Sequence, residues 1–182
     1  APVTISGLTA ANKVYDTTTA ATLSGTKTVF GLLSTDTSTV SGNATATFAS
    51  ANAGSAIGVT VNVSGLSLSN ANYYVAGVTS PLSANITAAP VTISGLTAAN
   101  KVYDTTRAAT LSGTSEIAGG LLGSDTATLS GTATAGTFAS ANAGNAIAVT
   151  ANLSSLSLSN ANYYVAGVTS PLSANITAAP VT

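Results

Sequence analysis

Four aspartates recur in register in this chain, Asp16 and Asp36 in its first half and Asp104 and Asp125 in its second, and a lysine, Lys13 or Lys101, precedes the first of each pair. Three chemistries could use such residues. Acid–base catalysis needs two carboxylates facing one substrate with separated pKa values, and nothing in the sequence makes Asp16 and Asp36 converge. An intramolecular isopeptide bond needs a buried lysine, an Asn beside it and a carboxylate that shuttles protons. Lys13 with Asp16 or Asp36, and Lys101 with Asp104 or Asp125, meet that requirement in residue type, since Asn is abundant. Calcium needs several oxygen ligands. The clustered aspartates of a calcium loop are missing, so a cation at a domain joint is the one cofactor the residues leave open. The plainer reading is that Asp16 and Asp36 cap turns or pair with Lys13.

Other chemistry is excluded by composition. The chain has no Cys and no His, which removes thiolates, disulfides, the usual zinc sites and an imidazole base. Four Lys and Arg against five Asp and Glu in 182 residues leave no basic stripe for nucleic acid or anionic lipid. No apolar run approaches the ~20 residues that cross a bilayer as a helix. Ser, Thr and Asn carry the hydration, a composition commoner in extracellular fibres than in cytosolic proteins. Five triplets, Asn43-Ala44-Thr45, Asn62-Val63-Ser64, Asn85-Ile86-Thr87, Asn152-Leu153-Ser154 and Asn175-Ile176-Thr177, have the form of glycosylation acceptors, which chance alone makes common in such a chain. Tyr15, Tyr73 and Tyr74 could form an aromatic ledge; the alternation of a strand instead puts one of Tyr73 and Tyr74 in the core and the other outside.

The elements that must hold these residues are repeated. Residues 1–88 and 89–178 are two copies of one unit, each opening with Ala-Pro-Val-Thr, and Ala179-Pro180-Val181-Thr182 reads as the start of a third. A unit of this length suits a small domain better than a solenoid rung. Between copies the joint is Ala88-Ala89-Pro90. Pro90 lacks an amide hydrogen, so it is expected to end a ladder and stiffen the connection, giving a rod rather than beads on a string.

Ile57, Val59, Val61 and Val63 alternate with polar residues and predict one face of a strand. Parity then shifts at Ser64-Gly65, which predicts a bulge or turn. Leu82–Thr87 is a second clear strand, and weaker ones are expected at Val3–Leu8, Lys13–Asp16, Ala20–Leu23, Thr28–Leu33, Thr37–Val40, Ala44–Phe48 and Tyr73–Ala76. Turn residues at regular intervals predict an all-β protein of two tandem antiparallel sandwiches, Ig-like in kind. A β-grasp-like sheet is the alternative if Ala49–Ala56 hides a short helix. Copy-to-copy changes at Val29, Val40, Val61 and Val63 stay apolar, as inward positions require. The two one-residue insertions, within 115–120 and at Gly136, are expected in loops or at strand ends.

Asn12-Lys13-Val14-Tyr15-Asp16-Thr17-Thr18 with Ala21-Thr22-Leu23-Ser24-Gly25, then Gly31-Leu32-Leu33 with Asp36, Asn72-Tyr73 and Ala84-Asn85-Ile86-Thr87, recur in order in both copies. This set resembles the YDG-type repeat of large secreted bacterial adhesins. The resemblance implies a domain related to the MBG-type repeats of filamentous-haemagglutinin-like and biofilm-matrix proteins, exported and arrayed as stalks at the bacterial cell surface. It implies no ligand and no enzyme. Thr17 and Thr105 stand where the family usually has Gly, so a turn needing positive φ is not expected there. The expected role is that of a rigid spacer whose partners are neighbouring repeats. The alternative is that the repeats themselves bind, by self-association through poorly guarded strand edges or by weak glycan contact.

Overall fold

The computed structural model describes residues 1–181, and among these every regular element is a strand. The chain divides into two compact units, Ala1–Ala88 and Ala89–Thr182.

In the first unit a five-stranded sheet runs in the order Lys13–Val14, Leu82–Thr87, Gly54–Asn62, Thr45–Phe48, Ala20–Ala21, and a three-stranded sheet in the order Tyr74–Val78, Pro2–Ser6, Thr28–Phe30. The alternation of Ile57, Val59 and Val61 is what seats Gly54–Asn62 at the centre of the larger sheet: these residues turn inward while Gly58, Thr60 and Asn62 are exposed. Ser64-Gly65 forms a turn, with the Leu66 N–H on the Val63 carbonyl at 2.9 Å. The chain then leaves that sheet, and Leu66–Leu68 pairs with Val40–Gly42 instead.

The second unit repeats the plan. Its larger sheet has six strands, Thr97–Ala98, Ala108–Ser112, Ala135–Phe138, Gly144–Ala151, Leu172–Thr177 and Lys101–Val102, and its smaller one runs Glu116–Gly119, Ala89–Ser94, Tyr163–Val168. Ile93 of the smaller sheet shares one core with Leu111, Phe138, Val149 and Ile176 of the larger. The two sheets therefore bury their apolar faces in common.

Several expectations are corrected. The sheets are not purely antiparallel: Pro2–Ser6 lies parallel to Tyr74–Val78, and Lys13–Val14 parallel to Leu82–Thr87. Partners so far apart in sequence have ample chain for the crossover that parallel pairing needs. The segment 49–56 holds no helix, and its last residues, from Gly54, already belong to the long strand, so the condition for a β-grasp-like sheet is not met. Thr37–Thr39 are not a strand. One backbone bond remains there, from the Ser69 N–H to the Thr39 carbonyl at 3.0 Å, and side chains supply the others, Ser69 Oγ taking the Thr39 N–H at 2.9 Å and Ser38 Oγ the Asn70 N–H at 3.3 Å.

Pro90 does not end a ladder. It is the second residue of Ala89–Ser94, opposite Tyr164, at a point where the antiparallel neighbour on the other side has not yet begun, so its missing N–H costs no bond. One insertion falls inside a strand, and the other lengthens the connection 131–134 that precedes Ala135–Phe138, the loop position expected of it. Within Glu116–Gly119 the register slips, Ile93 facing Ile117 and Thr92 facing Gly119, so the added residue is absorbed as a β-bulge. Gly136, the second residue of its strand, pairs with Ala109 and Ala151 as Ala46 pairs with Ala21 and Val61.

Candidate functional site

Lys13 lies opposite Ile86 in its short parallel strand, and this places its ammonium 5.6 Å from the centre of the buried Phe48 ring. Three oxygens hold Nζ: Asp16 Oδ1 at 2.6 Å, the Thr18 carbonyl at 2.7 Å and Thr18 Oγ1 at 3.1 Å. Asp16 Oδ1 in turn accepts the Thr18 N–H at 2.9 Å and the Thr18 hydroxyl at 2.8 Å. One carboxylate oxygen thus closes the turn and anchors the lysine above the ring. The second unit repeats the lock: Lys101 Nζ meets Asp104 Oδ1 at 2.7 Å, the Thr106 carbonyl at 2.8 Å and Thr106 Oγ1 at 3.1 Å, 5.5 Å from the Phe138 ring centre.

The turn forces Thr17 to φ 69° and Thr105 to φ 70°. The expectation that threonine would forbid positive φ is therefore overturned. The left-handed conformation costs a β-branched residue ~1–2 kcal/mol, and the bonds that converge on Asp16 hold the turn against that cost.

These contacts fix the charge states. The hydrogen bond from Lys13 is the main reason the Asp16 carboxyl falls from 3.8 to about 2, with the Thr18 N–H and hydroxyl adding to it and burial opposing. Asp104 is lowered to about 2 as well, first by Lys101 and then by Thr106. Such a pair is poorly set for an isopeptide bond, which needs a neutral amine beside an electrophilic carboxamide. Each ammonium is instead clasped by an ionised carboxylate and two threonine oxygens, with no Asn among its partners in the described residues.

Asp36 and Asp125 go elsewhere. The Tyr73 hydroxyl donates to Asp36 Oδ2 at 2.7 Å and accepts the Leu33 N–H at 3.1 Å, while the Asp36 N–H returns to the Leu33 carbonyl at 3.0 Å. In the second unit Tyr163 donates to Asp125 Oδ2 at 2.7 Å and accepts the Leu122 N–H at 3.0 Å. The Leu33 N–H lowers the Tyr73 pKa, but the bond to Asp36 and burial outweigh it and the net shift is upward. Burial, with Asp125, raises Tyr163 against the Leu122 N–H. Sequence reasoning did not pair these tyrosines with the aspartates, although Gly-Leu-Leu, Asp and Asn-Tyr recur together in both copies.

Asp16 and Asp36 thus serve separate contacts and do not form one acidic pair. Among the described residues no three Asp, Glu, His or Cys side chains stand together where they could hold a metal ion. Tyr73 is 7% exposed and Tyr74 60%, so the adjacent rings divide between core and surface rather than forming a ledge.

The arrangement defines a class of protein: a duplicated all-β unit whose recurrent ionisable side chains tie loops to the core. The sequence model of the YDG domain matches residues 1–80 and 87–170, and the chain belongs to the YDG domain family. Both locks lie in the matched segments. No curated protein and no solved structure matches the chain.

Proposed function

We infer that this chain is a structural spacer, a segment of the stalk or fibre of a bacterial cell-surface or secreted adhesin. One observation carries the reading: the same two locks, lysine to aspartate over a phenylalanine and tyrosine to aspartate at a loop, are built in both units with nearly the same distances. The reactive groups of each copy are spent on holding loops, which suits a unit that has to persist under load. Near-literal duplication supports length and reach more readily than catalysis. The short joint Ala88-Ala89-Pro90, read from the sequence, favours a stiff connection.

Single-molecule extension tests this. A spacer unfolds in two discrete, similar events, whereas gradual lengthening at low force would count against it. In the full-length adhesin, deleting one repeat should shorten the reach of attachment and leave the ligand unchanged.

A second reading has its own observation. Phe30 is 65% exposed on Thr28–Phe30, a strand at the edge of its sheet, and such an edge can pair with another chain. Sedimentation over a concentration series tests self-association; a monomer at high concentration would exclude it.

A further inference from the structure

The structure separates the Asn-x-Ser/Thr triplets. Asn85 and Asn175 lie inside the strands Leu82–Thr87 and Leu172–Thr177, half-buried, and their carboxamide oxygens accept the N–H of Ala56 and Ala146, each at 2.8 Å. Asn62 and Asn152 are exposed at the end of the long central strand, where the chain turns through Val63–Leu66 and Leu153–Leu156.

In both turns the third residue of the triplet bonds back to the first. The Ser64 N–H donates to Asn62 Oδ1 at 2.9 Å; at Asn152 Oδ1 both the Ser154 N–H, at 3.1 Å, and the Ser154 hydroxyl, at 2.7 Å, are donors. Holding Oδ1 polarises the carboxamide and leaves Nδ2 as the atom with no partner among the described residues. The copies differ all round this point, Val61, Val63 and Gly65 becoming Ala151, Leu153 and Ser155, yet the Asn and Ser are the same. The triplet at Asn43 is lost, its Asn replaced by Thr132.

We propose that Asn62 and Asn152 are N-glycosylation sites that take a sugar from a diphosphate-activated donor, because there alone an exposed turn presents the carboxamide with its oxygen held by the acceptor serine. In the transfer Nδ2 forms a bond to the anomeric carbon. The bond from that carbon to the donor phosphate breaks, the diphosphate leaves with the electron pair, and the proton lost from Nδ2 passes to a base of the transferase. The sugars would hydrate a surface that has few charges. The biological setting rests on the reading of the chain as an exported segment, but the acceptor geometry belongs to the folded chain and is tested on it alone.

The purified folded chain is incubated in two arms, one with a soluble N-glycosyltransferase and a nucleotide-activated hexose, the other with a membrane oligosaccharyltransferase and a polyprenyl-diphosphate oligosaccharide. Peptide mapping by mass should find sugar on Asn62 and Asn152 in at least one arm, the arm identifying the donor, with Asn85 and Asn175 at background. Ser64→Ala and Ser154→Ala should each abolish occupancy at their own site with the unfolding midpoint unchanged, and Ser64→Thr should retain it. Unmodified Asn62 and Asn152 in the folded chain, under conditions that modify a peptide carrying residues 58–68, would overturn the proposal. Equal occupancy at Asn85 and Asn175 would do the same. Neither result bears on the extension measurement, so the spacer reading fails or survives separately.

Discussion

The hydroxyl of Tyr163 donates to Asp125 Oδ2 at 2.7 Å and accepts the Leu122 N–H at 3.0 Å, so one oxygen at the tip of a buried tyrosine ties the loop before Asp125 to the core. Tyr163→Phe keeps the ring and removes the tie, leaving the Leu122 N–H without its acceptor. The expected loss is on the order of 1 kcal/mol by denaturant unfolding, with faster hydrogen exchange at Leu122. An unchanged exchange rate there would contradict the role assigned to the hydroxyl.

The same tyrosines set an alkaline limit. Tyr73 and Tyr163 have pKa values raised above 10.0, the unfolded value. The stability they contribute is fully present below the unfolded pKa and is lost as pH rises through the folded one. Stability should therefore decline above about pH 10, and the Tyr73→Phe, Tyr163→Phe double variant should show a weaker decline in a titration of the unfolding midpoint.

At the acid end the sign reverses. Asp16 and Asp104 are lowered to about 2 from 3.8, so their contribution is present above 3.8 and is lost as pH falls through about 2. Between those values the unfolded chain takes up protons that the folded chain refuses. An Asp16→Asn, Asp104→Asn variant should lose less stability over that interval than the parent chain; parallel curves would show that the locks do not control it. Both aspartates are exposed, so salt should blunt the effect.

How far the sequence could be read depended on distance along the chain. The inward face of Ile57, Val59 and Val61 was legible because alternation is local, and the turn at Ser64-Gly65 because parity breaks there. Which strands pair was not: nothing near Pro2 or Lys13 records that their parallel partners are Tyr74–Val78 and Leu82–Thr87. The Tyr73 to Asp36 contact spans 37 residues and is invisible to spacing for the same reason. Lys13 and Asp16 could be coupled because they are three apart. The left-handed turn at Thr17 was missed because threonine disfavours it, and only the convergence of Lys13 and Thr18 on Asp16 makes it tolerable.

Thr17→Gly tests that strain. Thr17 is exposed and its side chain makes no hydrogen bond in the described residues, so the change removes the left-handed penalty and adds only the entropy of a glycine in the unfolded chain. A gain of about 0.5 to 1 kcal/mol is expected. Ser34→Gly should behave alike, since Ser34 is at φ 49° and the corresponding residue of the second unit is Gly123, at φ 57°. Destabilisation by Thr17→Gly would mean that the threonine is held by contacts that outweigh its backbone cost.

Two glycines should respond to alanine with opposite signs. Gly131 is at φ 91°, and a Cβ there would stand 2.0 Å from the Ser155 carbonyl oxygen, a backbone atom that cannot rotate away. Gly131→Ala should cost about 2 kcal/mol or more, combining the left-handed penalty with displacement of the turn that follows Asn152. Gly58 sits in the central strand with φ in the ordinary range and nothing within 4 Å of the point a methyl group would occupy, and the second unit already has Ala148 there. Gly58→Ala should therefore stabilise the first unit by roughly 0.5 to 1 kcal/mol through the unfolded chain's lost freedom. Denaturation of the two variants side by side checks both. If both destabilise to the same extent, the close approach at Ser155 is not what requires glycine at 131.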